Sequence, residues 1–154
     1  MTQTDLFEYR EQRKPIEKDE IEELKAANKV QVEIHRLMGL LRFSPEPNGV
    51  YIARCSPDHF ILPALAEHFT LRFGDTPWVI IDEKRLLCLC KKTGNPAKII
   101  DLPPSFAAKE KTCDDSWEDL WRLYHKSVNN ETRNNAHLQR QFMPERYRKY
   151  LPEL

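Results

Sequence analysis

The spacing of apolar residues changes along this chain, and that change restricts its fold more than any other feature. Between Ile16 and Leu41 apolar residues recur at intervals of three and four, which predicts one long amphipathic helix. From Val50 onwards, short apolar runs of strand length are interleaved with further helical patterns. Strands flanked by helices, with the later strands joined by hairpins, predict an α+β fold.

Helix caps, prolines and turn residues indicate where the individual elements begin and end. Strands are expected at 50–55, 78–81, 86–90 and 97–102. Helices are expected from the Ser56 cap to about Gly74, from the Ser116 cap onwards, and at 133–142, and Pro144 opens a final turn. We therefore expect a small antiparallel sheet of three to four strands, covered by helices, with a helical C-terminus. On the helix that begins at Ser116, four apolar residues share one face and form an apolar stripe: Trp117, Leu120, Trp121 and Tyr124. This stripe predicts that Trp121 is buried.

Length and composition indicate one soluble domain. A chain of 154 residues can bury one good core but not two, so we expect an N-terminal arm at 1–15 and a single domain at 16–154. No apolar run approaches the length of a membrane span and no secretory signal is visible, which predicts a cytoplasmic protein. Four cysteines without C-x-x-C spacing predict buried thiols in a reducing compartment and no metal site.

The C-terminal segment combines basic, aromatic and amide side chains. From Arg133 to Lys149 the sequence contains five basic residues and one acidic residue, Glu145, although the whole chain carries equal numbers of bases and acids. Guanidinium groups pair with phosphate and aromatic rings stack on bases, so this segment is a candidate nucleic-acid contact surface. The alternative is a basic face that is merely solvated while the segment packs on its own domain. The candidate residues are Arg133, Arg140, Arg146, Tyr147, Arg148, Lys149 and Tyr150.

A second candidate site lies around Asp58 and His59. At a predicted helix N-terminus, free amides and an imidazole could together hold a ligand phosphate or move a proton, whereas the plainer interpretation is that Asp58 favours the helix dipole and His59 packs. Arg85, at the tip of the predicted 78–90 hairpin, either closes its own turn by a salt bridge to Asp82 or reaches towards phosphate. No glycine-rich phosphate loop, G-x-S-x-G motif or deaminase motif is present, so no cofactor is expected and catalysis stays open.

Several sequence segments resemble those of a known family. They are L-W-R-L-Y-H-K-S-V and R-N-N-A-H-L-Q-R-Q-F-M-P-E-R-Y-R-K-Y-L-P-E in the C-terminal part, with E-I-H-R-L-M-G-L-L-R-F, S-P-D-H-F-I-L-P-A-L-A-E-H-F and W-V-I-I-D-E-K-R upstream. Over 26–154 the chain resembles a bacterial family described as probable DNA-metabolism proteins. The resemblance implies a setting beside a radical-SAM protein of DNA modification or repair, and fusion to uracil-DNA-glycosylase-like modules. Many relatives have a longer N-terminal portion, where this chain has a short charged arm.

Three functions remain open on this evidence. The first is a nucleic-acid-binding or adaptor domain in bacterial DNA modification or repair, with DNA or RNA as ligand and a radical-SAM or uracil-DNA-glycosylase-like protein as partner. The second is a nucleic-acid-processing enzyme with a pocket near Asp58, His59 and Arg85. The third is a protein-interaction module alone.

Overall fold

The computed structural model describes residues 17–103 and 116–152. In chain order the helices are α1 (Lys18–Leu40), α2 (Leu62–Phe73), α3 (Ser116–Val128), α4 (Ala136–Phe142) and α5 (Glu145–Arg148), with a 3-10 turn at Glu131–Arg133. The strands are β1 (Ser44–Pro45), β2 (Tyr51–Cys55), β3 (Trp78–Asp82), β4 (Leu87–Lys91) and β5 (Lys98–Asp101). The predicted α+β class and helical C-terminus are confirmed, with five strands rather than three to four.

Contacts along the chain define two compact units, Met1–Val32 and Glu33–Leu154. In the first, the described residues form the beginning of α1, with acidic Asp19 and Glu20 in its first turn, where the helix dipole favours negative charge. Their side chains are almost all exposed to solvent. The second unit contains the sheet and every residue of the candidate site. The predicted division into an arm at 1–15 and a domain at 16–154 stays a prediction.

The sheet is mixed, which differs from the antiparallel sheet expected from the sequence. Its strand order is β1-β2-β3-β4-β5, and β2 pairs with β3 in parallel while the other neighbours are antiparallel. The reason is the connection: α2 carries the chain back to the starting edge between β2 and β3, whereas a short turn joins β3 to β4. In this register Cys55 pairs with Asp82, so β2 and β3 end at the same edge of the sheet.

The core lies between the central strands and α2. Trp78, Ile80 and Ile81 of β3 are fully buried, as are Leu65 and Phe69 of α2. Tyr147 and Leu151 in the C-terminal segment are also buried, at 1% and 5% exposure, so both side chains belong to the core. Among the described residues, no helix is long and apolar enough to cross a bilayer.

Two expectations for the helices are wrong. The second helix begins at Leu62, with Ile61 as its cap, rather than at Ser56. The backbone of residues 57–59 is instead hydrogen-bonded to the side chains of Glu33 and Arg85. The stripe on α3 is not buried: Trp121 is 40% exposed, and Leu120 and Tyr124 are more than half exposed. Trp121 instead stacks on Tyr124, with ring centroids 5.6 Å apart. The side chain of Trp117 lies outside the described residues.

Candidate functional site

The candidate site lies at the edge where β2 and β3 end. Three segments meet there: the loop after β2 (residues 56–60), the turn between β3 and β4 (residues 83–86), and the C-terminal segment from 146 to 150. In sheets with parallel strands, ligands bind preferentially outside the carboxyl ends of such strands. Members of both sequence-predicted clusters lie at this edge: Asp58, His59 and Arg85 of one, and Arg146, Tyr147, Lys149 and Tyr150 of the other.

The turn after β3 is held by Asp82, which is fully buried. One carboxylate oxygen accepts hydrogen bonds from the amides of Lys84 and Arg85, at 3.0 and 3.2 Å, and the other accepts one from the Arg85 guanidinium at 2.9 Å. This confirms the predicted salt bridge and explains how the turn forms without glycine, because an aspartate side chain can bond the backbone two residues on. Leu86 completes the turn with a positive φ of 55°.

Arg85 also fixes the loop after β2. Its guanidinium donates to the carbonyl oxygens of Pro57 and Asp58, at 3.1 and 2.6 Å. A planar group with several donors is suited to joining a carboxylate to two carbonyls. Because these donors are used inside the protein, Arg85 positions the loop that carries Asp58 and His59.

Glu33 of α1 is the central group of the site, and its side chain is only 3% exposed. It accepts hydrogen bonds from the backbone amides of Asp58 and His59, at 2.8 and 2.9 Å. It also accepts from the Tyr147 hydroxyl at 2.7 Å and contacts His59 Nδ1 at 2.6 Å. One of the two interpretations of the sequence left these amides free for a ligand phosphate. In the structure they donate to the protein's own carboxylate, Glu33.

The hydrogen bonds decide the charge of Glu33. Burial alone would raise the pKa of this carboxyl, but the hydrogen bonds from Tyr147 and from the amides of Asp58 and His59 outweigh burial and lower the pKa to about 2. Burial and the hydrogen bond to Glu33 raise the pKa of the Tyr147 hydroxyl to about 12. At neutral pH a carboxylate therefore sits inside the domain, fully engaged by donors from two distant segments.

His59 connects this buried network to solvent. Its Nδ1 faces Glu33, while the imidazole as a whole is 40% exposed. Within the described residues no hydrogen bond from its other nitrogen, Nε2, is found. A carboxylate that holds one ring nitrogen fixes the orientation of the ring. The exposed part of the imidazole is therefore held in place at the edge where β2 and β3 end.

Cations surround the neighbouring Asp58. Its carboxylate, 45% exposed, forms an ion pair with Nη1 of Arg146 and lies 3.5 Å from the Lys84 ammonium. Arg146 also donates to the Tyr147 hydroxyl at 3.0 Å and lies 3.6 Å from Glu33. One end of the C-terminal segment is thus joined to the loop after β2 by charge as well as by burial.

Glu83 anchors the other end of that segment. It accepts a hydrogen bond from the Tyr150 hydroxyl at 2.6 Å and one from Lys149 at 3.2 Å, with Arg54 at 3.5 Å. Burial would raise the pKa of the Glu83 carboxyl, but these hydrogen bonds and the charges of Lys149 and Arg54 lower it. Burial and the bond to Glu83 raise the pKa of Tyr150.

The structure places the predicted nucleic-acid residues in different surroundings. Tyr147 is buried, and Tyr150 is partly buried with its hydroxyl bonded to Glu83. Arg146 and Lys149 are paired with acids but remain partly exposed. Arg148 is partly buried against Gln139. Arg133 and Arg140 are exposed on the 3-10 turn and on α4. The role predicted for these seven residues in binding nucleic acid stays a prediction.

Sequence reasoning missed Glu33, Glu83 and Lys84. Glu33 had a visible signal: it falls on the apolar stripe of α1, between Val30 and Leu37, where a charged residue needs a buried partner. Glu83 and Lys84 had none, because charged residues in a turn are ordinary. Among the described residues no group of His, Cys, Asp and Glu is arranged to hold a metal ion. Cys55 and Cys88 are the buried free thiols that were predicted, Cys90 is a free thiol of intermediate exposure, and Cys113 lies outside the described residues.

The fold and the edge together define a small α+β domain with a charged, partly buried polar network where two parallel strands end. The model of a family described as a domain of unknown function, DUF4130, matches residues 7–153, and the chain belongs to that family. Neither the curated proteins nor the solved structures gave a match to the chain.

Proposed function

We propose that this chain is a nucleic-acid-binding domain of cytoplasmic DNA modification or repair, and that it contacts phosphate at the edge where β2 and β3 end. The observation that carries the proposal is the convergence of cations from separate segments: Lys84 from the β3–β4 turn, and Arg146 and Lys149 from the C-terminal segment. Their side chains are 50%, 42% and 59% exposed, so they can still reach a ligand.

Internal pairing does not prevent such binding. The acids that contact these cations are Asp58 and Glu83, at 45% and 33% exposure, and partly exposed ion pairs contribute little to stability. A polyanion that neutralises several cations at once also gains free energy from counterion release, which a single carboxylate cannot match. The resemblance to probable DNA-metabolism proteins supports this choice of ligand over an acidic protein. It also suggests a radical-SAM or uracil-DNA-glycosylase-like partner.

The test compares two double variants of equal charge. Lys84→Ala with Lys149→Ala removes two cations from the candidate surface, whereas Lys92→Ala with Lys98→Ala removes two exposed lysines near the opposite end of the strands. Binding of a labelled DNA or RNA strand of about 20 nucleotides is followed by fluorescence anisotropy at several salt concentrations. The first pair should weaken binding roughly tenfold at low salt and reduce the salt slope by roughly 1.5. Equal losses in both pairs, or no binding by the wild type, would refute the proposal.

The exposed arginines need a separate variant. Arg133→Ala with Arg140→Ala leaves the buried network untouched, since both side chains are exposed. If the contact surface extends along α4, this variant should weaken binding to a similar degree. Removing residues 133–154 is an unsuitable test, because the deletion would take Tyr147 and Leu151 out of the core.

One observation favours an enzyme as a second candidate function. His59 is held by buried Glu33 through Nδ1 and presents its other edge to solvent, which is the arrangement of a general acid or base. His59→Asn keeps a donor near the position of Nδ1 but has no counterpart of Nε2. If the domain processes nucleic acid, this variant should lose turnover while it keeps binding and its melting temperature. Turnover that survives in His59→Asn would rule out this role.

A further inference from the structure

The carboxylate of Asp58 occupies a position that suits an external anion. It pairs with Arg146 and lies 3.5 Å from the Lys84 ammonium, so one anion bridges two cations from different segments. Arg146 is itself oriented by its hydrogen bond to the Tyr147 hydroxyl, at 3.0 Å. The two cations are therefore close enough together for one oxyanion to contact both, and in this structure the Asp58 side chain lies between them.

The two acids of the network differ in how easily they could be displaced. Glu33 is 3% exposed and is held by backbone amides, a phenol and an imidazole, so moving it would break the core. Asp58 is 45% exposed, and the contacts of its carboxylate are to the two partly exposed cations. Of these two acids, only Asp58 can leave without unpairing buried donors.

The backbone of Asp58 is fixed independently of its side chain. Its amide donates to Glu33 at 2.8 Å, and its carbonyl accepts from Arg85 at 2.6 Å. The carboxylate can therefore rotate away about its own side-chain bonds while the loop keeps its position. The site left behind would present the Arg146 guanidinium and the Lys84 ammonium, next to the half-exposed imidazole of His59.

We propose that the Asp58 carboxylate occupies a phosphate subsite as an internal competitor, and that a nucleic-acid phosphate displaces it to pair with Arg146 and Lys84. This inference rests on the proposed function and adds to it the atoms that receive the phosphate. A guanidinium pairs with two phosphate oxygens at once, and an ammonium binds as a point charge. Removing the competing charge should therefore tighten binding rather than weaken it.

The experiment sets Asp58→Asn against Asp75→Asn. Both substitutions remove one negative charge. Asp75 is 81% exposed, precedes β3 and lies 3.5 Å from Lys91, so its substitution reports the effect of a charge lost outside the subsite. The probe is a fluorescein-labelled DNA strand of about 20 nucleotides, measured by anisotropy at low salt. We expect Asp58→Asn to bind roughly threefold to tenfold more tightly than wild type, since it removes two surface ion pairs. Asp75→Asn should change the Kd by less than roughly twofold.

A double variant tests whether the tighter binding depends on the subsite. When Lys84→Ala is already present, adding Asp58→Asn should lower the Kd much less than it does in the wild type, because one of the two cations of the subsite is missing. Equal tightening by Asp58→Asn and Asp75→Asn, or no tightening by Asp58→Asn, would overturn the inference while leaving the proposed function standing. Absence of binding by wild type and every variant would overturn both. A thermal melt checks folding, and Asp58→Ser supplies a second neutral variant.

Discussion

Glu33→Gln should destabilise the domain, and the loss should depend on pH. The carboxyl is 3% exposed, and its pKa is lowered from the ordinary 4.5 to about 2 in the folded protein. That difference corresponds to roughly 3 kcal/mol of folding free energy at neutral pH. Glutamine has nearly the same shape but carries no charge, and its amide nitrogen would face donors. We expect Glu33→Gln to be less stable than wild type by roughly 3 kcal/mol at pH 7.

The sign of the pH dependence follows from the direction of the shift. A group whose folded pKa is lowered stabilises the protein above its unfolded pKa, and that stabilisation is lost as pH falls through the folded value. For Glu33 the window runs from about pH 4.5 down to about pH 2. Roughly 2 of the 3 kcal/mol should be gone by pH 3. Wild type and Glu33→Gln should therefore converge in stability as the solution is acidified.

Urea unfolding followed by tryptophan fluorescence at pH 7, 5, 4 and about 3 measures this convergence by linear extrapolation. Glu67→Gln makes the same chemical change on α2 at an exposed position and should cost less than roughly 0.5 kcal/mol. If the gap between wild type and Glu33→Gln is the same at pH 3 as at pH 7, Glu33 is not the buried, hydrogen-bonded carboxylate that the structure describes.

Three other outcomes follow from burial and hydrogen bonding. Trp121→Ala should lower the free energy of unfolding, measured by thermal or urea unfolding, by less than roughly 1 kcal/mol, because Trp121 is 40% exposed. Trp78→Ala in the core should lower it by roughly 3–5 kcal/mol. Similar losses for the two variants would show that the α3 stripe is covered. Tyr150→Phe removes the hydrogen bond to Glu83 and should destabilise by roughly 1.5–3 kcal/mol; an unchanged urea midpoint would contradict that bond. Burial and the charges of nearby acids raise the pKa of Cys55 to about 12, so iodoacetamide at pH 8 should leave it unlabelled in the native state and label it in urea, as read by peptide mass.

The local elements could be predicted from the sequence because they depend on near neighbours. The stripe of α1, the turn at Asp82 and the strands around it follow from apolar spacing and turn chemistry, and each lies close to where it was expected. The misplaced start of α2 has a tertiary cause. Its predicted first-turn amides, at Asp58 and His59, are satisfied by Glu33, 25 and 26 residues earlier in the chain.

The site itself was decided by tertiary structure. The sequence drew attention to Asp58, His59, Arg85 and the C-terminal cations as separate clusters, but it contained no sign that they share an edge. That edge exists because α2 makes β2 and β3 parallel, so both strands end together, and because Tyr147 reaches Glu33 across 114 residues. Composition and periodicity indicate which residues are charged and which are suited to burial. They do not indicate which distant donor will bond a buried acid, because that depends on which segments the packing brings together.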